Sequence, residues 1–414
     1  MAFLPGSGLS QWMIHRCTIR WLILSIATLM LSLAEGRTQS DVANGKLVLA
    51  APLEHQVFQR QTRGYGRVQF AGRIPAGALD KKVIPTIQIR WVGKSLGAGD
   101  AGSWQTVPLS DDTATFSGEI EVPAGGWYRI EVRALNQGGI IALGEVEDVG
   151  VGEVFVVAGQ SNSANHGEEK QQTHTGMVSA FDGQGWRIAH DPQAGASGGG
   201  GSFLPPFGDA MAEHFQVPVG LVPLGIGATS VREWLPAGTA LVCPPTIMSQ
   251  VATNEAGQWQ AKGAIYAGFT ARMKQLGPNG FRAVLWHQGE SDANQADPTR
   301  TLPGEYYRQY LEQLIRESRR SIGWEAPWFV ALVSYHTPKD TASPEIRAAQ
   351  KALWDAGLAL PGPDSDALVG DLRDSHGAGI HFSGKGLREH ARVWVEQVSP
   401  WLVRQLQPGE GRSK

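Results

Sequence analysis

Cysteine is nearly absent from this 414-residue chain, which has only Cys17 and Cys243. Cys17 falls in an N-terminal segment expected to be cleaved. No intrachain disulfide can then staple the remainder, and stability has to come from buried apolar surface. Cys243 lies in a Cys-Pro-Pro loop with no Cys or His cluster beside it and reads as structural. No Cys/His spacing fits a zinc site, and no P-loop or Gly-x-Gly-x-x-Gly fingerprint follows a strand, so neither a metal nor a cofactor is expected. Charge is equally sparse. With 36 basic and 39 acidic residues the formal charge is −3, and no basic tail or stripe argues for a nucleic-acid partner.

Long apolar runs are also scarce. The one that stands out, Trp21 to Leu33, follows Arg16 and Arg20 and ends at Ser32-Leu33-Ala34 before Glu35. Residues 1–34 therefore read as a signal peptide, because the run is too short for a comfortable membrane span and ends in a small-x-small cleavage site. The expected location is periplasmic or secreted, with no membrane contact after cleavage. Losing the two arginines takes the charge from −3 by two to −5.

What is abundant is apolar residues (42%), glycine (52) and tryptophan (14). That composition supports a large core. Trp-rich, Gly-rich loops suit carbohydrate surfaces, although most tryptophans are expected to fill the core. Residues 35–45 read as a linker. Residues 46–147 carry period-two strands such as Thr86–Val92, Phe116–Val122 and Trp127–Arg133, which suggests a small β-sandwich of immunoglobulin or fibronectin type. From Val149 the pattern alternates strand and helix. Buried strands are expected at 154–158, 219–224, 283–286, 328–334 and 367–371, and helices at 208–215, 259–275, 303–320, 343–356 and 386–405. Residues 148–407 are thus expected to form a flavodoxin-like three-layer α/β/α domain with a parallel sheet, followed by a tail, 408–414. The Gly195–Ser202 run reads as a flexible loop, more an uninformative surface connection than the border of a cleft.

Four segments follow the buried strands: Gly159-Gln160-Ser161-Asn162, then Gly225 to Ser230 leading to Arg232 and Trp234, then Trp286 to Asp292, and finally Gly379 to Gly384. Loops after parallel strands converge at one sheet edge. Acyl transfer needs a nucleophile, a base, a group that orients the base and donors for the oxyanion. Ser161 can be the nucleophile and His381 the base. The backbone N–H of Ser161, an N–H near Gly227 and the Gln288 amide are candidate oxyanion donors. Asn162, Arg232 and Trp234 are candidate substrate contacts.

These blocks resemble the SGNH-hydrolase superfamily, specifically its sialate O-acetylesterase-like branch, carbohydrate esterase family six. The branch has Gly-Gln-Ser-Asn, Gly-Gly-Thr-Ser followed by Trp, His-Gln-Gly-Glu-Ser and a terminal His-Phe, and the likeness spans roughly residues 149–405. It implies a metal-free serine esterase acting on an acetylated sugar, with Ser161 as nucleophile, His381 as base and Gln288 as an oxyanion donor. Three positions depart. Ser163 stands where the branch often has Met, and Ala228 replaces the second glycine. Ala378 stands where many SGNH hydrolases carry an Asp three residues before the histidine. The orienting acid must then lie elsewhere, with Glu290 the first candidate and Asp374 and Asp371 in reserve. Blander readings stand beside these. Glu290 could pair with Arg232, His376 could rival His381, His287 reads as a buried, hydrogen-bonded residue and Asp292 as a solvated cap. The alternative function is an inactive carbohydrate-binding protein on the same fold. A lipase or thioesterase is a third reading, against which no amphipathic lid is visible.

Overall fold

The computed structural model describes residues 45–76, 84–95, 101–109 and 114–407. The expected signal peptide, the linker apart from Gly45, and the 408–414 tail lie outside them. The strands in chain order are β1 (Val48–Ala51), β2 (Val57–Gln59), β3 (Tyr65–Arg73), β4 (Thr86–Ser95), β5 (Gln105–Val107), β6 (Thr115–Pro123), β7 (Gly125–Asn136) and β8 (Gly139–Gly159). Then follow β9 (Val178–Phe181), β10 (Trp186–Ile188), β11 (Val219–Pro223), β12 (Val251–Thr253), β13 (Trp259–Ala261), β14 (Ala283–His287), β15 (Trp328–Leu332) and β16 (Leu360–Asp364). The five long helices among the described residues are α1 (Leu204–Phe215), α2 (Ala264–Gln275), α3 (Gly304–Ile322), α4 (Pro344–Asp355) and α5 (Gly384–Gln405).

The order β9-β11-β8-β14-β15-β16 is joined by parallel ladders throughout. Strands covered on both faces must be apolar throughout, and β11, β14 and β15 are buried at every position. Helices α1 and α5 cover one face through Phe207, Met211, Trp394 and Leu402. Helices α2, α3 and α4 cover the other through Phe269, Leu311 and Leu353. Trp234, Trp286, Trp328 and Trp394 are all fully buried core. Two of the helices are started by a side-chain cap. Ser343 caps α4, accepting from Ile346 N–H at 3.4 Å, and Ser383 caps α5, accepting from Gly386 N–H at 3.1 Å.

The expectation of a purely parallel sheet preceded by a separate β-sandwich is overturned. The sheet is mixed and has 11 strands, because β8 is one 21-residue strand that belongs to both halves. Its first half pairs antiparallel with β7 (Tyr128 opposite Val149), and its second half pairs parallel with β11 and β14 (Phe155 opposite Leu221 and Ala283). β10 adds an antiparallel edge. The change of pattern near Val149 is real, but it marks the point where one strand passes from one-sided to two-sided burial. Alternating exposure up to Glu147 gives way to a continuous buried run from Val149 to Gly159. The three-stranded sheet β1-β3-β6 packs on the antiparallel arm through Phe70, Phe116, Ile89 and Tyr128, sharing Val149 and Val151 with β8. No clearly distinct preceding domain is left.

The expected strand at 367–371 is also displaced. That stretch holds short 3-10 turns, and the last strand is Leu360-Pro-Gly-Pro-Asp. Two prolines hide it from a propensity reading, and they are tolerated because β16 is an edge strand.

A buried ion cluster welds the two halves. Glu153 on β8 accepts from Arg60 Nε at 2.6 Å, from Arg282 Nε at 2.6 Å and from Gln59 Nε2 at 2.9 Å. Arg60 and Glu153 are 1% and 0% exposed. Glu153→Ala would leave a buried guanidinium without its carboxylate, and should lower unfolding free energy by about 3–5 kcal/mol in urea titrations. A loss well under about 1 kcal/mol would contradict this welding role.

Candidate active site

Strand β8 delivers the first block. Gly159 has φ +129°, and a Cβ there would lie 2.0 Å from the His287 carbonyl oxygen of the neighbouring strand, so only glycine fits the turn. The chain then enters a 3-10 turn, Ser161–Ser163, held by Ser163 N–H on Gln160 O at 2.9 Å. Ser161 is 5% exposed. Neither its hydroxyl nor its N–H has a hydrogen-bond partner among the described residues. Both groups are thus unspent on other groups, and the hydroxyl makes no hydrogen bond to His381 in this arrangement either.

His381 comes from the loop before α5 and is clamped to Asp374. His381 N–H donates to Asp374 Oδ1 at 3.1 Å, and Asp374 N–H donates to the His381 carbonyl at 2.9 Å. The imidazole Nδ1 lies 3.6 Å from Asp374 Oδ2, an ion-pair distance. Burial pulls the His381 pKa below its ordinary value, with Asp374 acting in the opposite direction. A neutral imidazole at pH 7 follows, with Nε2 free of the aspartate.

Asn162 ties the two loops together. Its Nδ2 donates to Glu290 Oε1 at 3.0 Å and to the Ile380 carbonyl at 3.2 Å, one residue before His381. Arg373, 2% exposed, donates to the same carbonyl at 2.9 Å and also to the carbonyls of Leu368 and Ser365. Its guanidinium lies 4.0 Å from the Tyr335 ring centroid and 4.3 Å from that of Phe382. The His381 loop is therefore pinned from two sides.

Several expected placements are corrected. Glu290 does not face His381. Its carboxylate takes Asn162 and the Gly289 N–H, and the imidazole nearest it is that of His287, at 3.9 Å. Glu290 does not pair with Arg232 either. Asp371 is exposed and bonded to Lys385, and His376 is exposed. Gln288 is fully buried, and its Nε2 donates to Gln160, Thr229 and Asp292, so the amide is not left for an oxyanion. Gly227 N–H is likewise taken, by Ser197 Oγ at 2.7 Å. Ala228 beside it is held at φ +61°, a conformation that suits the glycine it replaces.

Arg232 does not reach a cleft, and the cavity that Trp234 borders, with Ile226, Phe269 and Arg272, is lined by neither Ser161 nor His381. Arg232 is 0% exposed and gives its donors to Ser230, Cys243, Pro244, Asp292 and Arg300. Trp234 packs edge-on against Trp286 and Phe269. Asp292 is a buried hub, accepting from Ser230 Oγ, Val231 N–H, Arg232 and Gln288. His287 is buried as expected, but neither ring nitrogen has a hydrogen-bond partner among the described residues, and burial pulls its pKa down to about 3. Cys243 Sγ sits 2.9 Å from Arg232 Nη1. Sequence reasoning did not single out Arg373, whose role rests on non-local carbonyls, nor His166, five residues after Ser161.

The family described as "Carbohydrate esterase, sialic acid-specific acetylesterase" matches residues 151–360, about half of the sequence. The chain belongs to this family. The matched span carries the Ser161, Gly227 and Gln288 blocks and stops before His381. Among solved structures, a carbohydrate acetylesterase from Xanthomonas citri is similar at 17% identity and a TM-score of 0.49, over 82% of this chain and 71% of that one. A protein from Arabidopsis thaliana is 18% identical (TM-score 0.40, 61% and 98% covered), and NanS is 16% identical (TM-score 0.39, 61% and 98% covered). No curated protein sequence matches. Among the described residues no helix is long and apolar enough to cross a membrane. Also among them, Glu54, His55 and Asp148 bring ligand atoms within 4.8 Å of one another, at the far end of the buried run of β8 from Ser161.

Burial pushes the Glu290 carboxyl up to about 7, so the native state keeps a proton that the unfolded chain releases near its ordinary value of about 4.3. The stability this contributes is fully present below that ordinary value and is lost as pH rises through about 7. Glu233 is raised to about 7 by the same cause. Glu290→Gln should therefore remove only its share of the decline in stability between pH 5 and 8, on the order of 3 kcal/mol. Urea titrations at the two pH values check this, and an unchanged decline in the variant would contradict it.

Proposed function

We propose that this family member is an exported serine esterase that removes O-acetyl groups from carbohydrate through an acetyl-enzyme. The observation that carries the reading is the convergence at one sheet edge of an unpartnered Ser161 with the His381–Asp374 pair, clasped through Asn162 and Ile380. The sialic acid-specific family supports a sugar acetate as substrate, and the signal-peptide-like residues 1–34 support export to the periplasm or beyond.

In the proposed reaction, Ser161 Oγ attacks the acetyl carbonyl carbon while His381 Nε2 takes its proton. Asp374 orients the ring and stabilises the imidazolium. The oxyanion forms against the Ser161 N–H, with the unspent N–H of Ala228 as second donor in place of Gly227 and Gln288. Collapse breaks the bond to the sugar oxygen, which takes the proton from His381. Water, deprotonated by His381, then attacks acetyl-Ser161, and acetate leaves. The residues invoked supply each step without a metal ion.

The test is acetate release from O-acetylated sialic acid and acetylated xylan by the mature chain. Release from at least one, dependent on Ser161, is expected. Sugar binding without any acetate release would favour the inactive carbohydrate-binding alternative.

A further inference from the structure

The glycine-rich run at 195–202 is not an idle surface connection. Its Ser197 N–H donates to the Gly225 carbonyl at 2.9 Å, and the Ser197 carbonyl accepts from Asn165 N–H at 2.9 Å. Asn165 also holds the run from the side, giving Nδ2 to the carbonyls of Gln193 (2.9 Å) and Ala196 (3.3 Å) and accepting from Gln193 N–H at 2.6 Å. Ser197 is thereby fixed between the Ser161 block and the Gly227 block.

His166 completes the arrangement. Its Nε2 lies 3.1 Å from Ser197 Oγ, and its ring lies 5.5 Å from the His381 ring, tilted by 30°. A Cβ on residue 227 would meet His166 Nε2 at 2.6 Å, so the glycine there makes room for this imidazole. A serine hydroxyl has one proton and two lone pairs. The Gly227 N–H occupies one lone pair, and the sole acceptor in reach of the hydroxyl proton among the described residues is His166 Nε2. With Ser197 donating to Nε2, the ring proton would sit on Nδ1. That nitrogen has no partner among the described residues and is not sealed from solvent. Burial keeps the His166 pKa below its ordinary value, so the ring is neutral.

Resting on the esterase reading above, we propose that His166, held as its Nδ1–H tautomer by Ser197, is a specificity-determining contact that donates a hydrogen bond to a sugar hydroxyl neighbouring the acetylated oxygen. The placement follows from His381. Its Nδ1 side belongs to Asp374, so the leaving sugar oxygen is protonated at the opposite edge of the ring, and His166 stands beside that ring. A donor there recognises a polyol ester and gains nothing from an ester whose alcohol has no second hydroxyl. Sites that hydrogen-bond a substrate hydroxyl reject analogues that lack it.

Two measurements test this. Long-range nitrogen–proton correlation spectra of the imidazole-labelled chain should show His166 protonated on Nδ1, with the proton moving to Nε2 in Ser197→Ala. This readout needs no turnover. Kinetically, His166→Ala should lower the ratio of kcat/KM for an O-acetylated sugar to that for 4-nitrophenyl acetate by about 10-fold, the value of one hydrogen bond. His166→Asn, which places an N–H where Nδ1 was, should recover much of the ratio. A wild-type His166 protonated on Nε2, or an unchanged ratio in His166→Ala, overturns the inference. A fall in both rates by the same factor means a structural role and overturns it too. A wild-type chain inactive on both esters overturns the esterase reading and this inference with it, and that failure shows before any substitution is made.

Discussion

Ser161→Ala is expected to abolish acetate release while leaving the fold intact. Ser161 opens the 3-10 turn after β8, and its hydroxyl has no partner among the described residues, so removing it breaks no hydrogen bond there and opens no sizeable cavity. Thermal or urea unfolding of the variant should match the wild type. Turnover should not survive, because nucleophile, base and orienting acid act as one unit, and loss of the nucleophile costs about 10⁴ to 10⁶ in kcat. Acetate assays on matched preparations decide the point. A variant retaining a tenth of the activity would mean that another group attacks the carbonyl, and the mechanism would fall.

The second large effect belongs to Asp374. Asn at this position keeps an oxygen for the His381 N–H but removes the charge facing Nδ1. By the logic of serine triads, kcat should fall by about 10³ to 10⁴. The pH profile should move as well. Asp374 is the influence that raises the His381 pKa against burial, so its removal should shift the acid limb of kcat/KM to lower pH, since the neutral imidazole is the active base. Glu290→Gln keeps an oxygen for Asn162 and should reduce kcat far less than Asp374→Asn. The reverse ranking would return the orienting role to Glu290.

The four chemistry-bearing blocks and the parallel strands beneath the first three are legible because each is local: a short apolar run, then Gly and polar residues. Asp374 is legible only as a reserve candidate, because it reaches His381 from seven residues away rather than three. Ser375 and His376 take left-handed conformations (φ +52° and +56°), and this reversal folds the longer connection back on itself. Glu290 and Arg232 mislead for the opposite reason. A charged side chain after a buried strand looks like site chemistry, and only the fold reveals that Arg232 is sealed among carbonyls and Asp292. Gln288 shows the same limit, since its amide is spent on Gln160, Thr229 and Asp292 from three separate segments. β8 hides its continuity because burial on one face and burial on two faces give different periodicities along a single strand. The glycine run is opaque in sequence because its role rests on the contacts of Ser197 with Gly227 and His166, which lie on separate segments.

The most direct measurement of the central claim is covalent labelling with an activated alkyl phosphonate, which traps an activated serine as a stable ester, followed by peptide mass spectrometry. The account predicts a single adduct on Ser161, formed in step with loss of acetate release and suppressed in His381→Ala. Labelling of a different residue, or full acetate release from a chain in which Ser161 is completely modified, would contradict it.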